Sequence, residues 1–220
     1  MNNYLIFLKF FLTKNTLLRI LQIYECLNIK LNGLTLEFGA TKNKNKTFSN
    51  FVKGKSKFEY TNIIENKKSK IFYSDLTKKL KIRSKKYNNI LIFNVLEHLS
   101  KFDLAFTESY RILKKGGSFI GSVPFIYQIH SAPNDYYRFT KDFLYMTLKN
   151  NKFKQVKVIP LGFGPFTASY SLIHAYIKYL PFFSQIILIA GFILDSFIQI
   201  FVRTKLSEIF PIGYFFIAKK

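Results

Sequence analysis

The sequence predicts an α/β fold: a mainly parallel seven-stranded sheet with helices on both faces and a helical insertion before the last strand. Three observations predict it. Short apolar, β-branched runs alternate with segments of helical spacing from residue 34 onward, which is how strands joined by crossover helices read. The run Ile90–Phe93 is apolar without a break, as expected of a strand covered on both faces. The stretch from Asn88 to Thr140 then gives strand, amphipathic segment, turn, second strand closed by Pro124, and a polar cluster from His130 to Arg138. That cluster falls at the carboxyl edge of the sheet, where open α/β sheets bind ligands.

Taken in order, residues 4–30 read as helical, with apolar residues at mixed helical spacing and Lys or Arg between them. Gly33–Gly39 reads as turn, short strand and terminal glycine. Residues 42–56 are Lys/Asn-rich and fit a loop or a frayed helix. Phe58–Ile63 and Lys70–Tyr73 are further strands. Leu104, Phe106, Tyr110 and Leu113 give one helical face, with Gly116-Gly117 as its stop. Ser118–Val123 is the next strand. Thr140 is placed to cap a helix over Lys141–Lys149. Val156–Ile159 starts another strand, residues 166–203 form two apolar helices broken at Pro181, and Tyr214–Ala218 closes the sheet. The chain divides as one domain: an N-terminal helical segment (1–30), a core (31–160), a helical insertion (161–205) and a closing strand (206–220).

At 220 residues the chain is long enough for one full core. Its net charge of +22 has two readings. Lysine is spread along the chain with Asn, Ile and Phe, as codon bias produces, or the charge marks a basic face for anionic partners. The single cysteine, Cys26, excludes an intrachain disulfide and a cysteine-cluster metal site, and no other metal-ligand set is read from spacing. The apolar block Phe182–Val202 has the length of a membrane span, but Gln185, Asp195 and Gln199 interrupt it. A packed or surface-lying amphipathic helix is the favoured reading over a span. No signal peptide is read in the N-terminal YLIFLKFFL, which Lys9 interrupts.

The segments LEFGA, FNVLEHL, YRILKKGG and VPFIYQIHSAPNDYYRFT resemble the class I S-adenosylmethionine-dependent methyltransferases. The resemblance spans about residues 34–160. It is nearest to the small bacterial type 11 enzymes found with surface-glycan (polysaccharide) synthesis, and it implies a Rossmann-like fold. It also implies S-adenosylmethionine as cofactor, held by Glu37 and Gly39 at the first strand's end, Asn62 after the second, Asp75 after the third and Asn94 after the fourth. The family carries two or three glycines where this chain continues Ala40-Thr41-Lys42, and a carboxylate where it has Asn62. Glu97 and His98 resemble the family's Glu-His pair, for which capping and loop positioning is the plainer reading.

In the polar loop, His130 is the candidate general base, because imidazole titrates near neutrality. Asp135 is either the base itself or the group that orients His130. Tyr136, Tyr137 and Arg138 suit an acceptor with sugar rings or phosphates, by stacking and forked hydrogen bonding. The alternative is an Asp135–Arg138 staple with the tyrosines in the core. His174 reads as structural, and Gly162 and Gly164 form no phosphate cradle.

The expected activity is methyl transfer to a hydroxyl of a glycan, free or lipid-linked, or of a related small acceptor. The expected location is cytoplasmic, or peripheral to the inner face of the cytoplasmic membrane through residues 166–203. Two other readings stand beside it. One is a methyltransferase-fold binding module without turnover, prompted by the reduced glycine turn and Asn62. The other is a nucleic-acid methyltransferase, prompted by charge but ranked last because NVLE stands where a (D/N)PP(Y/F) tetrad would be.

Overall fold

The computed structural model describes residues 15–41 and 47–220. Its centre is a seven-stranded sheet in the order β3-β2-β1-β4-β5-β7-β6. The strands are β1 (Gly33–Phe38), β2 (Ser56–Asn62), β3 (Ile71–Tyr73), β4 (Tyr87–Phe93), β5 (Leu113–Pro124), β6 (Lys154–Leu161) and β7 (Gly213–Lys219). The first five run parallel, while β7 lies antiparallel between β5 and β6. The helices are α1 (Leu17–Leu27), α2 (Phe102–Ile112), α3 (Lys141–Asn150), α4 (Pro165–Ile177), α5 (Pro181–Phe201) and the single turn α6 (Leu206–Ile209).

Strand alternation splits the core in two. Ile90 and Ile92 of β4 join Phe119, Phe216, Phe106 and Leu144 under α2 and α3. Leu91 and Phe93 point the other way, to Leu17, Leu21, Phe215, Tyr170 and Leu188 under α1, α4 and α5. Successive strand residues face opposite sides of a sheet, so an unbroken apolar β4 needs helices on both.

Three local expectations change. The first helix is described only over Leu17–Leu27, capped by the Thr16 hydroxyl; residues 4–14 of the expected 4–30 helix lie outside the described residues. Of the expected loop at 42–56, residues 42–46 also lie outside them, and the rest holds one 3-10 turn at Phe48–Phe51. Gly116-Gly117 does not stop a helix. α2 ends at Ile112, Leu113 is already extended, and both glycines lie inside β5. Gly116 has φ +74°, and a Cβ on Gly117 would fall 2.8 Å from the Asn88 carbonyl oxygen. Glycine is there because the chain bulges against β4 and meets the C-terminal Lys220, with Gly116 N–H donating to the Lys220 carbonyl at 2.8 Å. The remaining elements form where expected, Thr140 capping α3 included.

Candidate active site

The carboxyl ends of β1, β2, β4 and β5 meet at one edge of the sheet, and most of the candidate residues lie along it. At the β1 end, Glu37 is buried and accepts the backbone N–H groups of Phe48 and Ser49 at 2.9 and 3.0 Å. Burial raises its pKa, partly opposed by those hydrogen bonds. Gly39 has φ +71°, a left-handed turn that favours glycine. A Cβ there would lie 2.3 Å from Val95 Cγ2, so the room that glycine leaves is filled by the residue after Asn94. Asn62 donates to the Ala40 carbonyl at 2.9 Å and accepts from Ile64 N–H. Asp75 caps a turn, accepting from the N–H and hydroxyl of Thr77 at 3.0 and 2.7 Å, and pairs with Lys78. Those hydrogen bonds, the Thr77 hydroxyl first, hold its carboxyl below the ordinary range.

At the β4–β5 end there is a pocket of about 170 Å³. It is lined by Thr16, Leu18, Arg19 and Gln22 at the start of α1, by Asn94, His98 and Pro124 at and just after the ends of β4 and β5, and by Tyr127 and His130 of the loop after β5. Asn94 has φ +53° and exchanges hydrogen bonds with Gln22, which also donates to Ser122 at 3.0 Å. Arg19 stacks over Phe48 at 4.7 Å; burial pulls its pKa down, with Glu37 opposing.

The loop after β5 is fastened across this edge. Tyr136 and Tyr137 N–H donate to the Glu97 carbonyl. Tyr137 packs edge-on against Phe102 at 4.9 Å, whereas Tyr136 is about half exposed. Asp135 holds Arg138 through both oxygens, one contact at 2.7 Å, and accepts from His130 N–H at 3.0 Å. The Arg138 guanidinium, foremost, holds the Asp135 carboxyl far below the usual carboxylate range. Arg138 spends its other bonds on the Gln128 and Tyr137 carbonyls. The pair staples the loop, and Asp135 stands 3.3 Å from His130 Nδ1, in the orienting position.

The loop also brings His130 against the Glu97-His98 turn. The two imidazoles meet edge-to-face, with centroids 4.9 Å apart. Glu97 Oε1 lies 3.7 Å from His130 Nε2 and 3.8 Å from His98 Nε2. The Glu97 carboxylate, ahead of the other contacts, raises the His130 pKa. His174 sits apart on α4, buried, with its pKa lowered by desolvation.

Comparison with known proteins agrees with this geometry. Residues 28–121 match the family model described as a methyltransferase domain. No curated protein matches the chain. Among solved structures, a Thermotoga maritima S-adenosylmethionine-dependent methyltransferase, a possible histamine N-methyltransferase, superposes at TM-score 0.58. It shares 16% identity, over 96% of this chain and 92% of that one. A methyltransferase from Archaeoglobus fulgidus gives 0.53 at 13% identity, over 100% and 95%. A Haemonchus contortus phosphoethanolamine N-methyltransferase 2, solved with phosphomonomethylethanolamine and S-adenosylhomocysteine, gives 0.53 at 14% identity. This chain covers only 52% of its length.

The fold is that of a class I methyltransferase.

Class I methyltransferases use S-adenosylmethionine, and the residues present fit that cofactor at one end of the edge. The β4–β5 pocket, lined by Arg19, Gln22 and Asn94 among others, has polar groups and room for a ligand. Its volume is below the roughly 300–1,000 Å³ of ordinary small-molecule sites, so it takes part of a ligand. At the β1–β3 end the acceptors of Glu37, Asn62 and Asp75 are engaged within the chain. Sequence reading missed Thr16, Arg19, Gln22 and Tyr127, because nothing in residues 16–27 beyond helical spacing marks which face meets β4. It also missed that Glu97, His98 and His130 converge; the cluster of polar residues after two neighbouring parallel strands was the available signal.

Proposed function

We propose that this methyltransferase fold transfers a methyl group from S-adenosylmethionine to a hydroxyl of a glycan or related small acceptor. The observation that carries this reading is the pocket at the β4–β5 edge, whose lining joins Arg19, Gln22 and Asn94 with His98 and His130. The cofactor, when bound, supplies an already activated methyl group, so the chain's own task is alignment and removal of the acceptor's proton. In this reading Arg19 and Asn94 hold the cofactor's polar end, Asn94 giving up its present bonds to Gln22. The Glu97–His98–His130 centre takes the proton, with Asp135 positioning His130 and Arg138 holding Asp135. Methyl transfer to a panel of hydroxylated sugars, with small amines as the second arm, tests the acceptor class; transfer confined to amines overturns the hydroxyl assignment.

One observation favours a second reading, a binding module without turnover: Glu37, Asn62 and Asp75 already have partners inside the chain. Calorimetry with S-adenosylmethionine and S-adenosylhomocysteine separates the two. The enzyme reading expects binding; no heat at millimolar cofactor overturns it.

We further propose that α4 and α5 hold the domain against an anionic membrane surface on the inner side of the cytoplasmic membrane, within reach of a lipid-linked acceptor. Along Phe182–Phe201, mean hydropathy is 1.8. Only a stripe of Ser184, Leu188, Gly191 and Asp195 is buried. Phe182, Ile193, Phe197, Ile200 and Phe201 face outward, continuous with Tyr176 and Tyr179 of the preceding segment. Exposed apolar area of this kind marks an interaction surface, and a net charge of +22 favours anionic lipid. Flotation with anionic and neutral vesicles tests it, and absence from both sinks it.

A further inference from the structure

We infer that Glu97, His98 and His130 form a binding site for a first-row divalent cation of the zinc class. The inference rests on the proposed function and alters one role in it: with a dication on these three groups, the acceptor hydroxyl would be acidified by the metal rather than deprotonated by an imidazole. Its basis is a buried carboxylate with nothing to satisfy it. The Glu97 side chain is wholly buried, and neither of its oxygens has a hydrogen-bond partner. Oε1 faces the two imidazoles, and one ligand atom from each of the three residues lies within 4.8 Å of the others.

The tautomers make the arrangement specific. His98 Nδ1 is 2.6 Å from the Asn134 carbonyl, which can only accept, so Nδ1 carries the proton and Nε2 the lone pair. His130 Nδ1 lies 3.3 Å from both the Gln128 carbonyl and Asp135 Oδ2, again two acceptors. Both Nε2 atoms then present lone pairs towards Glu97, at 3.8 and 3.7 Å. These separations exceed hydrogen-bonding distance. Three acceptors converging on one point need positive charge between them. A proton on one imidazole serves one contact, whereas a dication serves all three.

Imidazoles that donate Nδ1–H to a carbonyl or carboxylate and offer Nε2 inward have the outer-shell pattern of metal-bound histidine. Two imidazoles and one carboxylate suit zinc and its first-row neighbours, not magnesium or calcium, which take oxygen donors. Bonds of about 2.0–2.2 Å place tetrahedral ligand atoms roughly 3.3–3.6 Å apart, so the cluster closes by a small side-chain rotation. Charge permits it as well. Glu97, Asp135 and Arg138 sum to −1 beside neutral imidazoles, and a dication brings the site to +1. His98 and His130 also line the pocket, so the fourth position opens where an acceptor oxygen would sit.

The test uses the full chain, stripped with chelator and titrated with Zn2+ by calorimetry, with Mg2+ and Ca2+ as comparison ions. Expected are one zinc equivalent bound, a zinc-dependent rise in Tm, and a visible absorption band when Co2+ replaces zinc. Glu97→Gln and His130→Ala each abolish the tight equivalent, and Asp135→Asn weakens it about 10–100-fold through the His130 tautomer. Should Glu97→Gln fail to fold, His130→Ala decides alone, because its side chain is partly exposed and its removal leaves the sheet intact. His174→Ala, remote on α4, leaves binding unchanged. No stoichiometric zinc site in the wild type, or zinc binding equal in wild type and His130→Ala, overturns the inference. Zinc bound without any methyl transfer removes the proposed function and leaves the site standing. Transfer undiminished in zinc-free protein, together with no zinc binding, does the reverse.

Discussion

Replacing Asp195 by Ala tests how the α4–α5 hairpin is built. The Asp195 side chain is buried within a mostly apolar helix, where it caps the start of α4. It accepts Phe166 N–H at 3.0 Å, Thr167 N–H at 2.9 Å and the Thr167 hydroxyl at 2.7 Å. In Asp195→Ala the hydroxyl retains the Gly164 carbonyl at 3.1 Å, and Phe166 N–H is only part-buried. The Thr167 N–H is left without a partner in a buried site, which costs about 1–3 kcal/mol. Loss of a carboxylate at a helix N-terminus adds about 0.3–1 kcal/mol. The sum is about 3 kcal/mol, or a fall in Tm of roughly 6–12 °C for a chain of this size. Asp195→Asn keeps one acceptor and loses about half as much. Thermal unfolding followed by circular dichroism measures both. Asp195→Leu separates this account from a bilayer-spanning helix: leucine stabilises a lipid-facing position and destabilises a helix cap. A Tm within about 2 °C of wild type for Asp195→Ala, or a gain for Asp195→Leu, refutes the reasoning.

Gly39→Ala places a methyl 2.3 Å from Val95 Cγ2 at φ +71°. It costs about 3 kcal/mol in denaturant unfolding, and Val95→Ala in the same chain restores the packing part but not the backbone part. Glu108 accepts Leu80 N–H and pairs with Arg111 through two contacts, and the Arg111 hydrogen bonds, foremost, lower its pKa from 4.5. A depressed folded-state value gives stability that is complete above about 4.5 and is lost as pH falls through the folded value. Arg111→Gln therefore lowers unfolding free energy at pH 6 more than at pH 3; an equal loss at both contradicts it. Ile193, 65% exposed on α5, anchors no core contact. Ile193→Asp leaves Tm unchanged and reduces vesicle binding about tenfold or more, the scale of one buried aliphatic side chain; binding equal to wild type removes Ile193 from the surface.

The fold was legible because hydrophobic period records which faces of an element are covered. Ile90–Phe93 reads as a strand covered twice, and the structure covers it twice. Thr140 reads as a cap and accepts Phe143 N–H. Gly116-Gly117 misled because glycine tolerates both a helix end and a bulge, and sequence spacing cannot choose between them. The notable polar residues were legible one at a time. Their partners were not, since a hydrogen bond depends on how two loops approach.

By itself the sequence determined the strand and helix alternation, the parallel sheet it implies, and the placing of polar residues just beyond strand ends. Tertiary structure alone decided which of those residues meet. Parallel β4 and β5 lie side by side and end at the same edge, so the turn after one and the loop after the other become neighbours and carry His130 onto Glu97 and His98. It also decided that Asp195 serves a helix start 28 residues away in sequence, because two helices packed antiparallel bring the middle of one to the end of the other.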